Sequence, residues 1–123
     1  MKKPEYYDLV KGLTNGLVIS IDGEKHKTAL SYLTEIWQKL KFPGTHINWD
    51  AYLDWMRDLE WLEENEIVII IHNFDAFLSE NQEKKKYFLY DFENIILPYW
   101  DKDAIGVLEN EDKIKKITLM IEN

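Results

Sequence analysis

Glu66-Ile-Val-Ile-Ile-Ile-His72 places five β-branched residues in succession with no polar alternation. Such a run suits a strand covered on both faces, as in a parallel sheet, and does not suit a strand with one wet face. The flanks supply what a parallel sheet requires. Upstream, Leu17-Val-Ile-Ser-Ile21 reads as a first strand stopped by Asp22-Gly23; downstream, Lys116-Ile-Thr-Leu-Met-Ile121 reads as the last. Two helical patterns separate the first strands. Thr28 caps one, with Leu30, Leu33, Ile36, Trp37 and Leu40 at three-to-four spacing and Pro43-Gly44 as its end. Asn48 caps the other, which runs to about Leu62 with Glu63 to Asn65 as its exit. A third pattern occupies Glu83 to Ile96, with Phe88, Leu89, Phe92, Ile95 and Ile96 on one side and Pro98 ending it. The order β-α-α-β-α-β predicts an α/β fold, a small parallel sheet with helices packed on it.

The chain's 123 residues fit one domain, with Met1 to Gly16 as an N-terminal extension and Asp101 to Lys113 as an irregular acidic connection before the last strand. The extension carries a short amphipathic pattern around Tyr6 to Leu13 and a turn signal at Asn15-Gly16. Hydrophobic residues make up 46% of the chain, which is too apolar for disorder, yet the longest strictly apolar stretch is Ile67 to Ile71, far short of a membrane span. Pro4, Glu5 and Asp8 interrupt any signal-peptide segment behind Lys2 and Lys3. With no cysteine, disulfides and thiolate metal sites are excluded, and a reducing, cytoplasmic setting is expected. The 23 acidic and 15 basic residues give a net charge of −8, which argues against nucleic acid as a partner.

The charge is concentrated in one place. From Asn48 to Glu66 there are seven carboxylates (Asp50, Asp54, Asp58, Glu60, Glu63, Glu64, Glu66) and one cation, Arg57, so 1 − 7 = −6. Within the second helix Ala51, Tyr52, Trp55, Met56 and Leu59 form an apolar stripe, while Asp50, Asp54 and Asp58 stack at i, i+4 and i+8 on another face. Like charges at that spacing repel by a few tenths of a kcal/mol per pair, and only Asp50 lies close enough to the N-terminus to gain from the helix dipole. Three readings are open: a solvated helix face, one wall of a metal or catalytic site, or an acidic docking surface for a basic partner. Trp49 and Leu53, apolar side chains among the carboxylates, favour the third.

These residues resemble the barstar family, intracellular inhibitors of a secreted bacterial ribonuclease. The resemblance is carried by the first strand with Asp22-Gly23 behind it and by Phe42-Pro43. It continues through Asn48-Trp49-Asp50-Ala51 with Asp54, Arg57-Asp58-Leu59 and Trp61-Leu62, and through the strand leading to His72-Asn73-Phe74-Asp75-Ala76. It implies a two-layer fold with a three-stranded parallel sheet, no cofactor, and a chain that is monomeric when free. The inhibitory surface would be the second helix and the loop before it, with Asp50 and Asp54 entering the nuclease's cationic active site. On that surface the resemblance and the local chemistry together place His46, Asn48, Trp49, Asp50, Leu53, Asp54, Arg57 and Asp58. The loop Pro43-Gly44-Thr45-His46-Ile47 is one residue shorter than the family's and lacks its aromatic pair, leaving His46 as the planar contact. Arg57 puts a cation on a surface meant to face cations. These departures bear on which protein is bound; an alternative is a binding module of the same fold with another basic partner.

Other candidates carry weaker signals. A metal-dependent enzyme would have to use Asp50, Asp54 and His72, and His72 with Asp75 supplies only two ligands. Asp75 to Leu78 reads as a capped turn into a short helix. The glycines form no phosphate-binding loop, and Ser20 and Ser31 lack a His/Asp context in sequence. Lys84-Lys85-Lys86 reads as a solvated face, and Tyr87, Phe88, Tyr90 and Phe92 as packing for the third helix.

Overall fold

The computed structural model describes residues 16–108 and 113–123. Strands β1 (Gly16–Asp22), β2 (Glu66–His72) and β3 (Lys116–Ile121) form a three-stranded parallel sheet in the order β1-β2-β3. β2 is therefore central, and all of Ile67 to Ile71 are at most 3% exposed, which accounts for a run without alternation. Ile67, Ile69 and Ile71 join Ile19, Ile21 and Ile117 in the main core beneath the helices, while Val68 and Ile70 point to the other face. The expected helix at residues 6–13 and Asn15 lie outside the described residues. Gly16 opens β1.

At the carboxyl ends of the strands, Asp22 Oδ1 accepts from the Glu24 N–H at 3.0 Å and from the Asn73 side-chain amide at 2.8 Å. The Asn73 bond, and then that of Glu24, holds the Asp22 carboxyl below its ordinary value. Gly23 follows because a Cβ there would sit 2.2 Å from the Asn73 carbonyl oxygen.

Helix α1 (Ala29–Lys39) starts at Thr28, whose hydroxyl accepts from the Ser31 N–H, and buries Tyr32, Leu33, Ile36 and Trp37. Leu30, expected in that stripe, is 64% exposed. The helix ends before Pro43-Gly44, because Lys41 turns into the left-handed region at φ 56°. Helix α2 (Trp49–Met56) is capped by Asn48, whose Oδ1 accepts from the Ala51 N–H at 2.8 Å. It stops well short of Leu62. The Arg57 and Asp58 N–H groups reach back only three residues, to Asp54 and Trp55, and buried Leu59 takes φ 54°. The Met56 carbonyl is taken instead by the Trp100 indole N–H at 2.8 Å.

Helix α3 (Gln82–Asp91) does not end at Pro98. It continues through π turns at Phe92–Ile96 and Tyr99–Asp103 into α4 (Ala104–Val107). In these turns the Leu97 and Ala104 N–H groups bond carbonyls five residues back, and the wider turn accommodates the proline ring. Residues 101–107, expected to be irregular, are thus helical, with Trp100 and Ala104 buried. After β2 the chain makes turns rather than a short helix: the Ala76 and Phe77 N–H groups both reach the Asn73 carbonyl, and Phe77 and Leu78 are buried.

Candidate functional site

Helix α2 has an inward and an outward face, and its register is set from inside. Tyr52 and Met56 are fully buried. The Tyr52 hydroxyl meets that of Tyr32 at 2.8 Å, and the Tyr32 ring stands edge-on to Tyr52, Phe77 and Phe88 at centroid distances of 5.6, 5.2 and 5.4 Å. Burial pushes both hydroxyls well above the ordinary tyrosine value. Trp49 also faces inward. It is half-buried, and its Nε1–H donates to Oδ2 of buried Asp91 at 2.7 Å. Its ring lies 5.0 Å from Tyr52, with the Lys84 ammonium 5.3 Å from its centroid. The tryptophan at the start of the acidic helix is therefore bonded to the core.

The loop before α2 is fixed by two tryptophans. Trp37 Nε1–H donates to the Gly44 carbonyl at 2.7 Å, and Gly44 lies so close to Trp55 that a Cβ would be 2.9 Å from the indole nitrogen. Beyond that anchor His46 and Ile47 are exposed, and the His46 carbonyl accepts from the Asn48 side-chain amide at 3.4 Å. Asn48 itself is committed to the helix cap.

On the outward face Asp50 is exposed, and the Asp54 side chain is 75% exposed. Arg57 Nη2 pairs with Asp54 Oδ1 at 3.0 Å while its Nε–H donates to the Leu53 carbonyl at 3.1 Å, so the guanidinium is held flat against the helix end. Leu53 is half-buried and packs on the core. Asp58 lies beyond the helix, where Oδ1 accepts from the Glu60 N–H at 3.3 Å. The expected row of three stacked aspartates is therefore two helical carboxylates and one in the following turn.

Asp54 stands on a ridge between two hollows. One, of about 210 Å³, is lined by Ala51, Asp54, Trp55 and Asp58. The other, of about 310 Å³, runs from Asp54, Arg57, Asp58 and Glu60 to Tyr99, Leu108 and Lys113. Sequence reasoning missed these last three, since nothing local in residues 99–113 points back at residue 54. Behind the ridge, buried Lys115 donates to the Leu62 and Glu64 carbonyls at 2.7 Å each. Burial, then repulsion from Lys113, lowers the Lys115 ammonium below its ordinary value, and Glu64 opposes the shift.

His72 does not approach the acidic helix as a ligand. Its Nδ1 pairs with Glu122, and its Nε2 lies 3.4 Å from the Ser20 hydroxyl. Among the described residues no three His, Asp or Glu side chains converge as metal ligands. Both serines have a histidine neighbour after all. Ser31 Oγ lies 2.7 Å from His26 Nδ1 and 3.1 Å from the Lys25 carbonyl oxygen, and the far side of the His26 ring meets Glu35, with Nε2 3.1 Å from Oε2. The lysine run is only partly a solvated face. Lys84 covers Trp49, and Lys85 donates to the Phe74 and Asp75 carbonyls at 2.6 and 3.2 Å, leaving Lys86 exposed. Of the four aromatics of α3 and its extension, Phe88 and Phe92 are buried, while Tyr87 and Tyr90 are 45% and 59% exposed. No helix among the described residues is long and apolar enough to cross a membrane.

The family model described as Barstar (barnase inhibitor) matches residues 17–102. No curated protein matches the chain. Among solved structures, the Aeropyrum pernix ORC2 protein in its ADP form is similar with a TM-score of 0.56 at 16% identity, over 95% of this chain and 28% of that one. At that identity the likeness concerns the fold alone, and the chain spans little more than a quarter of that protein's length.

Proposed function

The chain belongs to the barstar family, and from that premise we propose that it inhibits a basic ribonuclease by inserting the outward face of α2 into the enzyme's active site. The observation that carries this reading is Asp54, a carboxylate 75% exposed on a rigid ridge with hollows on either side. A ribonuclease must hold phosphate, so its site is cationic, and a carboxylate fixed on a helix competes for the same donors. Asp50 lies on the same helix, Asp58 lies in the turn beyond it, and His46 is exposed on the loop before it. The hollows would receive the rims of the nuclease cleft. No covalent step and no cofactor is involved. Free, the inhibitor would be a cytoplasmic monomer that meets its target by diffusion. The net −6 of residues 48–66 would steer that encounter.

The Arg57–Asp54 pair favours a second reading, a binding module of the same fold whose partner presents an acidic group beside its cationic one. Stopped-flow association with a barnase-type ribonuclease, together with inhibition of its RNA cleavage, tests the first. The association rate should exceed the roughly 10⁶ M⁻¹s⁻¹ of unsteered pairs and fall steeply between 0.01 and 0.1 M salt, as the Debye length shrinks from about 30 to about 10 Å. A salt-independent rate, or binding without inhibition, would overturn it.

A further inference from the structure

Between the end of β1 and helix α1 the chain sets a serine, a histidine and a carboxylate in series. His26 ends the 3₁₀ turn Gly23–Lys25, Ser31 lies in the first turn of α1, and Glu35 follows one helical turn later. Ser31 and Glu35, at i and i+4, share a face of the helix, and the His26 ring folds back between them. Its Nδ1 is 2.7 Å from Ser31 Oγ and its Nε2 is 3.1 Å from Glu35 Oε2.

The proton inventory decides what this series can do. A carboxylate only accepts, so Glu35 calls for the hydrogen on Nε2, and in the neutral ring Nδ1 is then the acceptor. The Ser31 hydroxyl has one proton and two acceptors in reach, Nδ1 at 2.7 Å and the Lys25 carbonyl at 3.1 Å. The shorter contact is the one to the imidazole. Nucleophile, base and orienting carboxylate therefore stand in the mutual geometry of an activated serine, with Nδ1 rather than Nε2 facing the hydroxyl. The arrangement is held from outside as well: the His26 side chain is only 13% exposed, and Glu35 Oε1 lies 3.6 Å from the Lys39 ammonium. The positive end of α1 favours negative charge that develops at Ser31.

We propose that Ser31 is a nucleophile that takes acyl groups from small esters, with His26 as its general base and Glu35 as the positioning residue. Oγ bonds the ester's carbonyl carbon while its proton passes to Nδ1. The ester C–O bond then breaks, and the departing alkoxide takes that proton from His26. Water attacks the acyl-serine in the same way, giving its proton to Nδ1, and Ser31 leaves with that proton as the acid is released. Ser31 is half-buried in the first turn of a surface helix, which suits small, activated substrates. Among the described residues these three side chains make no hydrogen bond or ion pair with α2, so the proposal stands or falls independently of the inhibitor reading.

A fluorophosphonate probe, incubated with the folded full-length chain and located by peptide mass mapping, should be found on Ser31. It should react there about 10²-fold or more faster than at Ser79, which is also half-buried. With p-nitrophenyl acetate the same serine should carry the acetyl group. His26→Gln should slow labelling of Ser31 about 10²-fold or more. Glu35→Gln should slow it by at least about tenfold, because the Gln amide can present an N–H to Nε2 and hold the ring in the wrong tautomer. Both variants should keep the parent's cooperative melting; if either does not fold, the ratio of Ser31 to Ser79 labelling in the parent chain decides alone. No adduct at Ser31, a rate there no faster than at Ser79, or an equal rate in folded His26→Gln would overturn the proposal.

Discussion

Strand β2 and helix α2 are almost equal in length, seven and eight residues, but the fold constrains them very differently. Five residues of β2 are buried; in α2 only Tyr52 and Met56 are, and most of its charge faces outward. In β2 nearly every side chain answers to a neighbour in the same molecule. In α2 the apolar residues pack inward to different depths, and the two left outward, Asp50 and Asp54, are carboxylates at i, i+4 that slightly oppose the helix that carries them. A feature that is neutral or adverse to folding points to something outside the chain.

The comparison is broken first at the inner face. Tyr52→Ala should cost about 3–5 kcal/mol of stability, as for other emptied aromatic sites, while any chain that still folds keeps its ribonuclease affinity. Urea titration of the variant measures it, and a cost near zero would remove the distinction between the faces. On the outer face, Asp54→Ala should weaken ribonuclease binding by about 2–5 kcal/mol, because a desolvated cation in the partner loses its counter-charge. Its folding stability should move by no more than about 0.5 kcal/mol, the scale of an exposed ion pair and a relieved like-charge pair. Calorimetric titration beside thermal unfolding separates the two effects.

Trp49 belongs to both regions and sharpens the line between them. Trp49→Ala removes the donor to buried Asp91 and should destabilise the fold by about 2–3 kcal/mol, even if it also weakens binding. A loss under about 1 kcal/mol by chemical denaturation would return Trp49 to the outer face. The tyrosine pair adds a pH signature. Both hydroxyls are held protonated above their ordinary 10.0, so the folded chain keeps protons that the unfolded chain gives up. Their contribution is complete below pH 10 and is lost as the pH climbs above it. Stability measured from pH 8 to 11.5 should fall at the alkaline end, and Tyr52→Phe should flatten that fall while costing about 1–2 kcal/mol at neutral pH. The smallest effect is kinetic. Changing Glu60, Glu63 and Glu64 to Gln should slow association with the ribonuclease a few-fold and leave dissociation nearly constant; a change confined to dissociation would place them inside the contact.

The sheet was legible because its signal is local: β-branched runs bounded by turn residues locate all three strands to within one residue at either end. The ends of α2 and α3 were not, because what decides them lies far away in sequence. Leucine gives no hint of the left-handed turn at Leu59, a conformation costing it about 1 kcal/mol or more that burial of its side chain holds in place. Nor does Pro98 reveal that π turns will let the chain pass it in helical form. At the site, Asp50 and Asp54 could be placed on the outward face from spacing alone. The bond from Trp49 to Asp91 spans 42 residues, and the hollow closed by Tyr99, Leu108 and Lys113 depends on a helix that periodicity ends too early.

The backbone of the acidic segment takes donors from elsewhere in the chain: the Trp100 indole on the Met56 carbonyl, and the Lys115 ammonium on those of Leu62 and Glu64. None of these contacts involves the side chains at positions 50 or 54, whereas Asp58 itself accepts from the Glu60 N–H and so would be replaced only by another acceptor. A lineage, or an engineer, could therefore rewrite those positions for a different target while the shape of the segment persisted. Retargeting would need only a handful of outward substitutions, and the two donor side chains, Trp100 and Lys115, would be the ones to leave untouched.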